Sequence, residues 1–535
     1  MVGGRQRGRS IQCAASCQCL FRARLPLLHT HRKPHRDLSH STSFRRCITI
    51  WHTYCPVKAL KIMLFNSFEF LIFLPVVFTV YWALVKSQHA RNTFIVLASY
   101  VFYGWWEWRF LALIIFSTAC SFASGLLMSH YTQHRKAVAG GVVIINLIIL
   151  CLFKYFNFFM QEFSALMGTI GISIDSVTLN VILPVGISFY TFQALSYTID
   201  VYRGRIAPTH DVTAFFAYIS FFPQLVAGPI ERASDLLPQF MHEQHFNAAT
   251  TTDGLRQMLW GFFKKMVVAD NCAIAVKHIW ANYDHVGSNT LLVGAVLFSF
   301  QIYGDFSGYS DIAIGCAKLL GIRLSQNFKY PYFSKNIQDF WRRWHISLMR
   351  WFTDYIYIPL GGSRGSRLHH LRNIFIVFAI SGLWHGANWT FIAWGIYHAA
   401  LLCLFLFSID KFKHFENHFF KTISTLLTFT LVTLGWIIFR APTLHDATGF
   451  LLNLCSMKYT RAIELSNINM PIIILAITLM LTMEWQGQHR EHAMQFNSRS
   501  ILARHSSLRY SVYFAIAMSI CTLSGTQSQF IYFQF

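Results

Sequence analysis

The sequence predicts an all-α, polytopic integral membrane protein, and three observations carry that expectation. Hydrophobic residues make up 54% of the 535-residue chain and only 13% are charged, whereas soluble domains carry about 25% charged residues. Aromatic residues are abundant, with 51 Phe, 22 Tyr and 15 Trp, and the mean hydropathy is +0.40. Apolar stretches near the length needed to cross the hydrocarbon core, about 20 residues in a helix, recur along the chain. A soluble enzyme of this length could not hide so much apolar surface behind so few charges. Disorder and fibrous repeats are excluded by the same figures.

Taken in order, the stretches that read as spans are 68–86, 110–129, 137–159, 256–279, 290–303, 389–408, 421–439, 470–484 and 510–524. The pair Lys264–Lys265 inside the fourth is expected near an interface. Shorter stretches at 92–104, 181–193, 212–227, 308–320 and 372–384 are too short or too interrupted to span alone. Backbone at membrane depth must hydrogen-bond within the protein, so broken segments belong where they are packed or line a cavity. About eleven crossings, with re-entrant and interfacial helices around a central cavity, are therefore expected. Trp105, Trp106 and Trp108 fit an aromatic belt at a membrane interface. There is no internal repeat and no inverted pair of broken helices, which weakens a secondary-transporter architecture.

Residues 1–62 differ in composition from the rest of the chain. They hold twelve Lys/Arg against one acid, Asp37, a net +11 that is half of the chain's +22. Five of the twelve cysteines are there too: Cys13, Cys17, Cys19, Cys47 and Cys55. Cys17 and Cys19 with His29, His31, His35 and His40 match no usual zinc spacing, so no metal is expected. The segment lacks the apolar core and cleavage site of a secretory signal, although its Arg- and Ser-rich, acid-poor composition is that of a transit peptide. We expect it to be an extension outside the native product, with translation starting at Met63 and a single membrane domain over 63–535. The basic excess of that domain is what Lys- and Arg-rich cytoplasmic loops produce, and nothing in it requires nucleic acid. The remaining seven cysteines are scattered singly, several in apolar runs, and imply no disulfide framework.

The richest motif region runs from Tyr330 to Trp394. In FWRRWHISLMRW a helix would place Phe340, Trp344, Ser347 and Trp351 on one side and Arg342, Arg343 and Arg350 on others. That pattern suits interfacial anchoring. That is the plain reading; the functional one is binding of a phosphorylated donor by guanidinium groups. Downstream, SGLWHGANW places His385 in an apolar run beside Trp384, Asn388 and Trp389. An ionisable group there marks a functional site, and a neutral imidazole can accept a proton from a hydroxyl. The plainer reading is a histidine hydrogen-bonded between helices; the small Gly382, Gly386 and Ala387 leave room for a substrate. His345 is the natural second member. Asp305 and Asp311, in YGDFSGYSDIAIG, read either as proton-coupling groups or as partners of Lys or Arg that fix helix packing. Gly304 and Gly308 there form a small-xxx-small contact. Pro223, Gly228 and Pro229 break the segment before Glu231 and Arg232, as expected of a helix lining a cavity.

These blocks, with LPVGISFYTFQALSYTIDVYRG (183–204), FFPQLVAGPIERASDLLPQF (221–240) and GWIIFRAP (435–442), resemble the membrane-bound O-acyltransferase family. Their likeness is to its bacterial alginate O-acetyltransferase branch, in matching order and spacing over 63–535. The resemblance implies a multi-pass protein of the bacterial inner membrane, with no bound cofactor. It implies an acetyl group taken from a cytosolic thioester, acetyl-CoA or a related donor, toward hydroxyls of an exported polysaccharide. A periplasmic serine O-acetyltransferase is the implied partner. His385 corresponds to the family's catalytic histidine and His345 to its second one; Trp384, Asn388, Trp389, Asp305, Asp311, Arg342 and Arg343 are expected to line the substrate cavity. Asn388 or a backbone N–H could steady an oxyanion. Three alternatives stay open here: D-alanyl transfer to a teichoic acid-type polymer, a non-enzymatic transporter of a polysaccharide precursor, and a scaffold for export.

N-terminal sequencing of the product made in its native cell is expected to read Met63 first; a mature chain beginning near Met1 contradicts that start.

Overall fold

A computed structural model describes residues 63–173, 178, 183–226, 228–412, 417–458, 469–496, 501–525, 528 and 530–531. The basic head 1–62, with its cysteines and histidines, lies outside the described residues. All regular structure among the described residues is helical. Several helices start where the sequence supplies a capping oxygen. The Phe70 amide donates to Ser67 Oγ (3.2 Å) ahead of Phe68–Ala83, and the Ala90 amide to Ser87 Oγ (3.4 Å) ahead of Gln88–Glu107.

Six stretches among the described residues are long and apolar enough to cross a membrane: Gln88–His130, Thr132–Thr169, Ser288–Leu319, Trp389–Ser408, His418–Arg440 and Met470–Gly487. At the turn interrupting the first, Trp105 and Trp108 are exposed beside an Arg109–Glu107 pair (2.8 Å), a polar and aromatic junction suited to an interface. The stretches 290–303 and 308–320, read separately from sequence, form one continuous 32-residue helix, Ser288–Leu319. At 1.5 Å per residue it is about 48 Å long. Of its most apolar window 78% is buried, against 22–39% for the other five, so this helix is the centre of the packing.

It is continuous because its glycines serve contacts, not bends. A methyl group on Gly308 would sit 2.8 Å from the Gly261 carbonyl oxygen, and one on Gly261 would sit 2.6 Å from the Gly308 oxygen. The Ala248–Phe262 helix therefore lies main chain to main chain against the central one, the close approach that small residues allow.

Among the described residues, three helices widen into π-helical turns, at Cys151–Tyr155, Phe263–Ala269 and Thr353–Tyr357. Each carries ionisable side chains: Lys154; Lys264 and Lys265; Asp354. Such bulges concentrate at functional sites, and all three place charged groups at or near the buried histidines, the central helix and the basic cleft.

Gly308→Ala is expected to lower the thermal unfolding midpoint in detergent, because overpacking costs about 1–3 kcal/mol. Gly140→Ala, in the Arg135–Leu150 helix with nothing within 4 Å of the added carbon, is expected to leave the midpoint unchanged or raised.

Candidate active site

His385 is the last residue of the Arg367–His385 helix. The chain then passes through an extended Gly386 (φ −166°) to Asn388, which starts the next helix, Trp389–Phe412. The Thr390 amide donates to Asn388 Oδ1 (3.0 Å), and Asn388 Nδ2 donates to the Pro442 carbonyl (2.8 Å), tying this corner to the following segment. The His385 imidazole is buried and meets the rings of Trp384, Trp394 and Phe439 edge to face, with centroids at 4.9, 5.1 and 5.3 Å.

Two residues not singled out in the sequence hold this helix end. Lys154 Nζ donates to the Trp384 and His385 carbonyls (2.5 and 3.2 Å), and the Tyr155 hydroxyl donates to that of Leu383 (2.9 Å). A helix terminus leaves its last carbonyls without intrahelical partners, and a cation there also opposes the negative end of the helix dipole. The signal was a lone Lys in a span, at LFKYF.

His345 lies between two short helices, Ile337–Arg343 and Ile346–Phe352, in the left-handed conformation (φ 44°, ψ 52°). The single amphipathic helix expected over this segment is thus broken at Trp344–His345. Phe340, Trp344, Ser347 and Trp351 are all buried, not laid on an interface. Trp344 packs on Trp436 (4.8 Å), and Trp351 lies parallel to Phe192 with centroids 3.8 Å apart. The break turns His345 inward, where Nδ1 is 3.1 Å from Asn327 Oδ1 and the ring meets Phe306 (4.7 Å) and Trp384 (5.8 Å) edge to face. Trp384 contacts both imidazoles, so one indole joins the two expected catalytic positions.

The other expected residues divide. Asp305 and Asp311 pair with lysines: Lys265 Nζ is 2.7 Å from both Asp305 and Asp270, and Lys264 Nζ is 2.6 Å from Asp311. Both lysines are buried, not interfacial, because four carboxylates, Glu484 among them at 3.9 Å from Lys264, surround them from the central helix and its neighbours. Trp389 is half exposed against Phe158 (5.8 Å). Arg343 pairs with Asp339 (2.8 Å), whereas Arg342 opens into a cleft of about 760 Å³.

That cleft has a basic rim, Arg232, Arg342 and Arg350, and an apolar wall including Ile374, Phe378 and Leu402. Arg232 is paired with Asp354 at its edge. Trp341 forms part of the wall and packs on Trp394 (5.7 Å), which packs on His385. Two indoles thus separate the cleft from the imidazole. A third histidine not singled out, His398, sits on the same indoles (5.0 Å to each), fully buried. No group of three or more metal-ligating side chains occurs among the described residues.

The candidate site is thus two buried imidazoles joined by one indole, with a basic cleft beyond two further indoles. Residues 142–441 match the membrane-bound O-acyltransferase (MBOAT) family, and the chain belongs to it. It is therefore a multi-pass membrane O-acyltransferase. A probable alginate O-acetylase of Pseudomonas syringae is 41% identical over 391 residues, 72% of this chain and 74% of that protein. A peptidoglycan O-acetyltransferase of Helicobacter pylori is 33% identical, over 89% of this chain and 98% of that protein. A teichoic acid D-alanyltransferase of Bacillus subtilis is 28% identical, over 60% and 83%.

Removing one member of a buried ion pair costs about 3–5 kcal/mol, whereas an apolar replacement of the pair can be neutral. Lys265→Met is therefore expected to lower the thermal midpoint sharply, and Lys265→Met with Asp305→Leu to recover part of it; recovered fold with retained acyl transfer assigns these charges to packing, not to proton coupling.

Proposed function

We propose that this protein, in the bacterial inner membrane, moves an acetyl group from a cytosolic thioester toward hydroxyl groups of an exported polysaccharide. Its similarity to proteins named for acetylation of alginate and of peptidoglycan supports both the acetyl group and the polymer class. Acetyl-CoA is the donor we propose, and a periplasmic serine O-acetyltransferase the partner that completes transfer.

The observation that carries the reading is the cleft. Guanidinium groups bind phosphate in a fork, and Arg342 and Arg350 stand at one lip of an apolar groove that runs to within two indoles of His385. Arg203, Arg364, Arg367 and Arg372 lie in the segments around the same mouth, and Arg203 reaches the Asp354 carbonyl at 3.1 Å. That excess of positive charge argues for the cytoplasmic face.

In the proposed reaction the acceptor hydroxyl oxygen adds to the thioester carbonyl while its proton passes to His385. The tetrahedral intermediate collapses, the C–S bond breaks, and the thiolate leaves with that proton as a thiol. An ester is formed, and no oxidant, metal or other co-reactant is required. A positioned base contributes about 10²–10⁴-fold, and holding the two reactants together contributes up to about 7–11 kcal/mol more. Lys154 keeps the helix end that carries His385 from fraying; Arg342 holds the donor.

Membranes given radiolabelled acetyl-CoA and acceptor polymer are expected to label the polymer, and His385→Ala to cut labelling at least about 10²-fold at equal protein. Full labelling by that variant refutes His385 as the base. Polymer labelled only from a carrier-protein thioester moves the donor assignment to the D-alanyl type.

A further inference from the structure

The proposed reaction gives His345 no step, and the residues beneath that ring fix which of its nitrogens is able to take one. Asn327 is fully buried. Its Oδ1 receives the Ser347 amide (3.4 Å) and the Ser347 hydroxyl (2.9 Å), and lies 3.1 Å from His345 Nδ1. Amide oxygen and nitrogen are interchangeable by shape, and hydrogen-bond partners have to decide between them. A backbone N–H can only donate, so the atom facing Ser347 is the oxygen. The Ser347 hydroxyl agrees: it accepts from the Ile230 amide (3.0 Å), which leaves its own proton for Oδ1. On the other side of the amide, Asn327 Nδ2 donates to Ser310 Oγ (3.3 Å).

With an oxygen opposite it, His345 Nδ1 must carry a hydrogen. The hydrogen bond made by one ring nitrogen sets the state of the other, so in the neutral ring the lone pair is on Nε2. That nitrogen is buried and has no hydrogen-bond partner among the described residues. The main chain is fixed by the same residue: the Ile346 amide donates to the Asn327 carbonyl (2.9 Å), next to the left-handed turn at His345. Such a conformation in a non-glycine residue costs about 1–3 kcal/mol and persists only where its surroundings enforce it.

We propose that Asn327 is a positioning residue that locks His345 in the Nδ1–H tautomer and presents Nε2 as a proton acceptor. His345 then enters the reaction able to take up a proton and unable, while neutral, to give one from the face it shows. Its Nδ1–H stays on Asn327 in both charge states. The inference rests on the acyl-transfer reading for its consequence and on hydrogen-bond geometry alone for the tautomer.

Solid-state NMR of the full chain in lipid, with ¹⁵N-labelled histidine, tests it directly. The signal that His345→Gln removes is expected to show a protonated Nδ1 and a bare Nε2. A neutral His345 protonated at Nε2 overturns the proposal, whatever the activity. With labelled acetyl-CoA, Asn327→Leu is expected to lower kcat by roughly 10²-fold, the lower end of what a positioned base contributes, with the donor KM little changed. Asn327→Asp, which keeps an accepting oxygen in place, is expected to restore most of kcat. A wild-type kcat in Asn327→Leu, or a loss confined to KM, overturns the positioning role. The Nδ1–H signal in a wild-type protein that does not use acetyl-CoA leaves Asn327 standing and removes the donor assignment.

Discussion

The constraint on which this structure depends is that a charge at membrane depth must find its partner inside the protein. Lipid offers no hydrogen bonds, and an ionisable group placed there without a partner is costly. Lys154 answers by setting its ammonium on the carbonyls that end the His385 helix. Lys264 and Lys265 answer by meeting acids from the central helix and its neighbours. In each case the cation sits on a π-helical turn, where the local backbone is wider than an α-helix. Structural and chemical demands are met by the same few side chains.

Around that frame, the site is assembled from segments far apart in the chain. Lys154 and Tyr155 hold the end of one helix, Asn327 holds the turn that carries His345, and Trp384 lies against both imidazoles. The cleft approaches from the side bearing Arg342 and Arg350 and is parted from His385 by Trp341 and Trp394. The basic rim of the cleft and the buried imidazoles thus stand apart, joined by packed indoles.

Much of the fold and part of the candidate site were legible in the sequence. Helices and their approximate limits follow from apolar length, and His385 from the oddity of an imidazole in SGLWHGANW. The break at His345 was not legible, because FWRRWHISLMRW continues a helical period and has neither Pro nor Gly; the turn comes from Asn327, eighteen residues away. The choice between coupling and pairing for Asp305 and Asp311 needed the positions of Lys264 and Lys265, which an apolar run cannot show. His398 and Lys154 were passed over since single ionisable residues in spans have several ordinary explanations. Asn327 carries no mark at all: an amide in a polar loop gains its meaning only from the Ser347 backbone opposite it.

The rings around His385 have one more effect. A base strong enough to activate a sugar hydroxyl would equally activate water, and a thioester within its reach would then be hydrolysed to no purpose. Trp384, Trp394 and Phe439 cover the imidazole largely with ring carbon, leaving the two indole N–H groups as their polar points, and an enclosed site suppresses such side reactions. For the transfer proposed above, such a jacket spares the thioester by limiting how much water reaches the imidazole.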